Sequence, residues 1–226
     1  MERQLELLEA PPGTTATPRR TRRAGLRVRQ WNGWLPDPDR AFRALLTQVS
    51  WKQESITFHG RTHPLPRLTC WVGDPGCHYT YSGVHNRIEP WIPLLADLRG
   101  RVEKEAGCRF NSLLLTLYRD GRDRLAWHAD DEPELDPHAP IASLSLGATR
   151  TFRFRPRTTS AAAAPPVRFE LAAGDLLVMD PPTQRHWLHQ VPARLRVSAP
   201  RINLTFRVIR PRGLLMPPRG VRRDRA

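Results

Sequence analysis

From residue 110 onward, the chain consists of short apolar or alternating stretches separated by turn signals. Stretches of this kind are typical of β-strands. The predicted strands cover residues 113–118, 141–146 and 149–155, two segments within 167–180 around Gly174 and Asp175, and residues 201–209. Many short strands predict a β-sandwich or a barrel-like double sheet.

Two earlier segments have apolar residues at helical spacing. The first follows Pro36, where Asp37 can cap a helix, and the second begins near Pro90 and stops at Gly107. The apolar positions are Phe42, Leu45, Leu46 and Val49 in the first, and Leu94, Leu95, Leu98, Val102 and Ala106 in the second. The predicted fold is therefore mainly β, with helices packed on its outside.

The two ends of the chain lack this periodicity. Residues 1–25 are polar and rich in Pro, Thr and Arg, which predicts a flexible basic arm, and residues 211–226 predict a basic tail. The domain is expected to span residues 26–210. Within the arm, the arginines of residues 19–23 could contact phosphates, but a solvated tail would explain them as well.

The formal net charge is +14, and nearly all the positive charge is arginine, because Lys52 and Lys104 are the only lysines. This excess favours a nucleic-acid partner, although a general preference for arginine over lysine would also produce it. No run of 18 apolar residues predicts a membrane span, and the N-terminus does not resemble a secretory signal. We expect a cytoplasmic protein (nuclear if eukaryotic) that makes no membrane contact.

His128 and Asp130 alternate along a predicted extended segment, so their side chains can share one ion. A third ligand could come from His138, His186 or His189. Two histidines and one carboxylate on one face of an octahedral ion leave three positions open, as Fe(II) oxygenases require. A metal-dependent hydrolase would use a similar set of ligands to activate water.

The last predicted strand places Arg201, Asn203, Thr205 and Arg207 on one face and apolar residues on the other. If the polar face points into the protein, its arginines need an anionic partner, and a dicarboxylate such as 2-oxoglutarate would serve. A hydrolase needs no dicarboxylate. Six residues of strand span about 20 Å, so both arginines reach one ligand only if the strand curves or the side chains lean inward.

Four motifs, in this order, resemble the AlkB family of DNA-repair dioxygenases. The motifs are WHADDE, IASLSLGATRTFRFR, HWLHQVP and RINLTFR. The resemblance runs from about residue 50 to residue 210 and is greatest to the branch typified by the homologue that repairs double-stranded DNA. It implies a double-stranded β-helix (jelly roll) with helices packed outside.

The resemblance also implies the cofactor ligands. His189 becomes the third iron ligand, because it directly precedes the segment Gln190–Pro192 that matches the family. The residues implied at the 2-oxoglutarate site are Thr116, Tyr118, Arg201, Asn203, Thr205 and Arg207. Thr116 stands where the family usually has asparagine, and the loss of one hydrogen bond, on the order of 1 kcal/mol, predicts weakened 2-oxoglutarate binding.

The implied substrate site lies on three segments. Two alternating tyrosines by themselves favour core packing, but with the resemblance Tyr79 and Tyr81 resemble an aromatic wall for a flipped base. Asp131, assisted by Glu132, would face the exocyclic nitrogen of the base. A predicted hairpin around Gly60 would insert His59 into the duplex, with Arg61 and Arg67 as phosphate contacts.

The implied activity is oxidative dealkylation of N-alkylated DNA bases such as 1-methyladenine and 3-methylcytosine. It would use Fe(II), O₂ and 2-oxoglutarate and release aldehyde, succinate and CO₂. We expect a monomer acting on single- or double-stranded DNA. The alternatives are a non-catalytic binding module for damaged nucleic acid and an oxygenase acting on RNA or protein.

Overall fold

Two antiparallel sheets form the body of the protein. The computed structural model describes residues 17–58, 60–77, 80–81, 84–85, 88–158 and 164–210, with the backbone alone at residues 58, 80, 81, 84 and 85. The helices are α1 (Pro38–Gln48), α2 (Pro93–Ala106) and α3 (Thr183–His186). The strands are β1 (Arg19–Arg23), β2 (Leu26–Trp31), β3 (Ser55–Phe58), β4 (Arg61–Pro64), β5 (Leu68–Gly73), β6 (Thr80–Tyr81), β7 (Val84–His85), β8 (Ser112–Tyr118), β9 (Leu125–His128), β10 (Ile141–Gly147), β11 (Arg150–Pro156), β12 (Val167–Leu171), β13 (Leu176–Met179), β14 (Trp187–Val191) and β15 (Arg201–Arg207).

The major sheet has seven strands in the order β1-β2-β13-β10-β15-β8-β5, and the minor sheet has four in the order β12-β11-β14-β9. The two sheets pack against each other through one buried cluster. Leu26, Leu177 and Met179 come from the major sheet, and Phe154 and Trp187 from the minor sheet. The cluster closes one side of the space between the sheets.

Helices α1 and α2 cover the other face of the major sheet. Leu45 of α1 and Leu98 of α2 pack in a second core with Leu204 and Phe206 of β15. The Asp37 side chain accepts a hydrogen bond from the Arg40 amide and so caps α1, as predicted. Both predicted helices are therefore confirmed, and α2 begins at Pro93, slightly later than expected.

Residues 19–23 are ordered as strand β1, so the prediction of an irregular arm up to residue 25 is wrong for this segment. Arg19–Arg23 pairs antiparallel with Leu26–Trp31 at the edge of the major sheet. Its five residues are four exposed arginines and one threonine. Because none of them is apolar, no alternation of apolar and polar residues marked the segment as a strand. Residues 1–16 and 211–226, predicted as arm and tail, lie outside the described residues.

A candidate iron and 2-oxoglutarate site

The polar face of β15 points into the space between the sheets. Arg201, Asn203, Thr205 and Arg207 are between 1% and 9% exposed, while the intervening apolar residues pack on the helix side. The face is therefore not a solvent-exposed strand surface. Its guanidinium groups lie in a largely buried interior and need anionic or hydrogen-bonding partners.

Three predicted metal ligands meet at the edge of the minor sheet. His128, at the end of β9, pairs in register with His189 of β14, and Asp130 follows two residues after His128. One ligand atom from each of the three lies within 4.8 Å of the others. His138 and His186 do not join this group and line two other cavities.

The protonation states of these groups suit metal binding. Burial lowers the pKa of His189 well below its ordinary value, so its ring is neutral and has a lone pair to offer. The Nδ1 atom of His128 lies 2.8 Å from the carbonyl oxygen of Ala126. Donation to that carbonyl leaves Nε2 as the free acceptor, the arrangement typical of a metal-bound histidine.

Asp130 remains a carboxylate although it is buried. Burial alone raises the pKa of Asp130, but the positive charge of Arg207 lowers it below the ordinary value. Arg207 Nη2 donates directly to Asp130 Oδ1, and Asp130 Oδ2 lies 3.6 Å from His189 Nε2. Two imidazole nitrogens and one carboxylate oxygen form a donor set that fits Fe(II).

Arg201 provides a buried site for an anion. Its Nη2 donates to Ser145 Oγ at 2.9 Å and to Asn203 Oδ1 at 2.6 Å. Nε and Nη1 are buried and have no hydrogen-bond partner among the described residues. Burial lowers the pKa of Arg201 to about 10, so it still carries its charge at neutral pH. Each of these N–H groups can donate to a carboxylate oxygen, so Arg201 fits an anionic ligand.

Tyr118, at the end of β8, lies beside two buried guanidinium groups. The guanidinium Cζ atoms of Arg201 and Arg150 lie 5.3 and 5.4 Å, respectively, from the centre of the Tyr118 ring. Burial raises the pKa of Tyr118, although the arginines oppose this effect, so the hydroxyl stays protonated and can donate. Arg150 donates to the carbonyl oxygens of Asp120, Asp123 and Pro192 and so fixes this end of the site.

Thr116 lies beside the metal-facing residues. It is 3% exposed and lines a cavity together with His128, Asp130 and Arg207. Arg67, expected as a phosphate contact, is 8% exposed and lines the same cavity. Its buried position places it beside the candidate cofactor site instead of on the outer surface.

The expected substrate residues are only partly described. Asp131 and Glu132 line a second cavity of about 470 Å³ that also includes Asp130. Asp131 forms an ion pair of 2.7 Å with Arg157, and both side chains are partly exposed. His59 and Tyr79 lie outside the described residues, and only the backbone of Tyr81 is described.

The predicted hairpin around Gly60 is present. Strands β3 and β4 pair antiparallel, and Gly60 lies in the turn between them with a φ of 72°. Arg61, the first residue of β4, is exposed. The positive φ explains why a glycine follows His59, since other residues rarely adopt this conformation.

Sequence reasoning missed several residues of the site. Ser143 and Ser145 of β10 hydrogen-bond Asn203 and Arg201, respectively. Their alternation inside an apolar strand was an available signal, because it marks a polar face next to β15. Arg150 gave no such signal, since an arginine at the start of a strand is usually exposed.

Comparison with known proteins agrees with this geometry. Residues 31–207 match the 2OG-Fe(II) oxygenase superfamily. The chain is 43% identical over 186 residues to the mouse DNA oxidative demethylase ALKBH2, covering 77% of this chain and 76% of the relative. It is 40% identical over 201 residues to the mouse alpha-ketoglutarate-dependent dioxygenase alkB homolog 3, covering 84% of this chain and 66% of the relative. The solved structure of OsALKBH1 has a TM-score of 0.53 at 18% identity and covers 80% of this chain and 96% of that chain.

The fold and the site thus define an Fe(II)- and 2-oxoglutarate-dependent dioxygenase with a double-stranded β-helix, as predicted. The chain belongs to the AlkB family, and its relatives support the ALKBH2-like branch. The family uses Fe(II), 2-oxoglutarate and O₂, so the hydrolase alternative is excluded. Among the described residues, no helix is long and apolar enough to cross a membrane.

Proposed function

We propose that this protein is a DNA oxidative demethylase that removes small alkyl groups from the ring nitrogens of bases such as 1-methyladenine and 3-methylcytosine. DNA as substrate is proposed because a relative of 43% identity is named a DNA oxidative demethylase. The observation that most supports the chemistry is the meeting of His128, Asp130 and His189 next to the buried arginines of β15.

In this proposal, His128, Asp130 and His189 hold the iron. Arg207 keeps Asp130 ionised through its ion pair, and the Ala126 carbonyl orients the His128 ring. When bound, the iron with O₂ and 2-oxoglutarate supplies the oxidising chemistry that converts the N-alkyl group to a hydroxyalkyl group, which leaves as an aldehyde while succinate and CO₂ form. No nucleophile from the protein is required.

The co-substrate site is formed by the C-terminal part of β8 and the polar face of β15. Arg201 offers its unpartnered nitrogens to one carboxylate of 2-oxoglutarate, and the Tyr118 hydroxyl donates to the same end. Arg207, with Thr116 beside it, contacts the end of 2-oxoglutarate that lies nearer the metal. The two arginines therefore act at opposite ends of one ligand. Asn203 and Thr205 lie between them on the same face of β15, where the Asn203 amide donates to Thr205 Oγ1 at 2.8 Å.

The base enters from the side of Asp131 and Glu132. These carboxylates favour bases that alkylation has made cationic, because opposite charges attract. Arg157 holds the Asp131 carboxylate in place through the 2.7 Å ion pair. We further propose that Tyr79 and Tyr81 flank the base.

The β3–β4 hairpin is proposed to contact the DNA beside the flipped base. In this arrangement His59 and Gly60 enter the space that the base vacates, and Arg61 contacts a phosphate. The protein is proposed to act as a monomer, in the cytoplasm or, if eukaryotic, in the nucleus. Parallel assays on a single strand and on the matching duplex would establish which form of DNA it prefers.

The test is aerobic incubation with Fe(II), 2-oxoglutarate and an oligonucleotide that contains 1-methyladenine. We expect formaldehyde and succinate from the wild type and neither from His128→Ala or His189→Ala. Gln48→Ala is the control, because Gln48 is exposed at the end of α1, which packs on the face of the major sheet away from the triad. A wild type that binds the oligonucleotide and yields neither product would favour the binding module. Turnover only with methylated RNA or with protein would favour the other alternative.

A further inference from the structure

The β1–β2 hairpin has the densest run of exposed positive charge among the described residues. Four of the five residues of β1 are arginines, and each of these is exposed. Arg27 on β2 is exposed as well. In the β-ladder, Arg22 lies opposite Arg27, and Arg20 lies opposite Arg29. Like charges directly opposite each other on paired strands are destabilising, so this arrangement does not serve the stability of the hairpin.

Acidic residues do not neutralise this charge. Among the described residues, no ion pair involves an arginine of β1 or Arg27, although Arg29 binds Asp180. Some arginines elsewhere do find acids, as in the pairs Arg99–Asp74 and Arg122–Asp120 at 2.7 and 2.6 Å. The hairpin therefore presents a positive field that is open to an external anion.

A groove gives this charge a definite shape. It has a volume of about 570 Å³ and is lined by Arg22, Arg23, Arg27, Pro182 and His186, among others. Gly25, at the hairpin turn, allows the close approach, because a Cβ there would lie 2.8 Å from the His186 side chain. The groove thus has three arginines on one wall and helix α3 on the other.

Helix α3 connects this groove to the active site. Thr183 Oγ1 accepts a hydrogen bond from the Arg27 amide and donates to the Arg27 carbonyl, which fixes α3 to the hairpin. On the other side, Gln184 Oε1 accepts from the Asp130 amide at 3.1 Å. Pro182 lines both the arginine groove and the cavity that includes Asp130 and Asp131. The two cavities are therefore neighbours on either side of one short helix.

We propose that the groove between the β1–β2 hairpin and α3 binds the phosphodiester backbone of the DNA strand that bears the target base, a few nucleotides away from that base. This inference rests on the proposed function for its substrate. Guanidinium groups suit phosphate because their planar fork donates two hydrogen bonds at once. Contacts with phosphate place the strand without reading its sequence.

The test compares two triple variants that remove the same charge. The groove variant is Arg22→Gln, Arg23→Gln and Arg27→Gln. The control is Arg43→Gln, Lys104→Gln and Arg109→Gln, which replaces exposed residues on the side of α1 and α2. Dissociation constants are measured by fluorescence anisotropy with unmodified single-stranded DNA, so that binding is scored without turnover.

The groove variant should bind a long strand about 10-fold more weakly than the control at about 50 mM salt, and its slope of log Kd against log salt should fall by about 2. With methylated substrates, KM should rise for the long strand, while kcat/KM for a trinucleotide stays unchanged. Its melting temperature should equal or exceed that of the wild type, because like-charge repulsion is removed. The proposal would be overturned if both variants bound the long strand equally weakly. It would also be overturned if the groove variant lost as much kcat/KM on the trinucleotide as on the long strand.

Failure of this inference is distinguishable from failure of the proposed function. A wild type that binds DNA through the groove but releases no formaldehyde contradicts the demethylase function and leaves the binding surface supported. A wild type that demethylates the long strand with a KM insensitive to the groove substitutions contradicts the binding surface alone.

Discussion

At the scale of single residues, the site depends on groups that are buried and charged at the same time. Asp130 and Arg207 neutralise each other, whereas Arg201 keeps two nitrogens without a partner among the described residues. An unpartnered buried donor costs about 1–3 kcal/mol. The apo protein therefore bears a cost at Arg201 that a bound carboxylate would relieve.

We propose that Thr116 departs from the family pattern beside the co-substrate, and replacing it tests what this departure does. Thr116→Asn should lower KM for 2-oxoglutarate about 5-fold, because an amide restores roughly 1 kcal/mol of hydrogen bonding. The measurement is initial rate against 2-oxoglutarate concentration at saturating methylated DNA. Thr47→Asn, at an exposed position of α1, is the control and should leave KM unchanged.

A threonine that is 3% exposed leaves little room for a larger side chain, so the melting temperature of Thr116→Asn should be measured as well. An intact fold with an unchanged or higher KM would show that Thr116 does not limit co-substrate binding.

Arg150 supports Tyr118, and its replacement should weaken the whole fold. Arg150→Lys should lower the free energy of unfolding by about 2–3 kcal/mol, because an ammonium cannot reproduce the fork that serves three backbone carbonyls. Urea denaturation measures this change. Arg153→Lys, three residues later on β11 and exposed, should change stability by less than about 0.5 kcal/mol. Equal stability of the two variants would contradict the supporting role of Arg150.

At the scale of elements, the sequence predicted the strands that alternate or begin at clear turn signals. Strand β15 was visible because its polar and apolar residues alternate, and α1 because Asp37 caps it. Strand β1 was missed because its arginines give no apolar face, although pairing with β2 orders it. Local pattern cannot reveal order that comes from a partner strand.

The site was predictable to the extent that its residues share a strand. The spacing of His128 and Asp130 is local, but the choice among three histidines depends on which strand pairs with β9, and β14 does so. The burial of Arg67 and Arg150 was not predictable, because arginine is usually exposed and only the packing of distant strands encloses it. Long-range contacts of this kind leave no periodic signal in the sequence.

At the scale of the whole molecule, the cofactors would join the two sheets. The proposed iron ligands lie on β9, on β14 and just after β9, at the minor sheet, whereas the proposed co-substrate residues lie on β8 and β15 of the major sheet. A ligand that bridges iron and Arg201 therefore holds both layers together. Because ligands that bind only the folded state stabilise it, metal and 2-oxoglutarate should stabilise the protein cooperatively.

Thermal unfolding tests this linkage with Mn(II) in place of Fe(II), so that no turnover occurs. At about 100 times its dissociation constant, 2-oxoglutarate should add about 2.7 kcal/mol, which corresponds to a rise in melting temperature of about 5–10 °C for a protein of this size. The rise should be much smaller after chelation of the metal or in His128→Ala. In Arg201→Met, the unliganded protein should be at least as stable as the wild type, because a buried cation is removed, but it should gain little from 2-oxoglutarate. A full rise in both variants would mean that the two sheets do not share the ligand, since neither the metal nor Arg201 would then be needed to bind it.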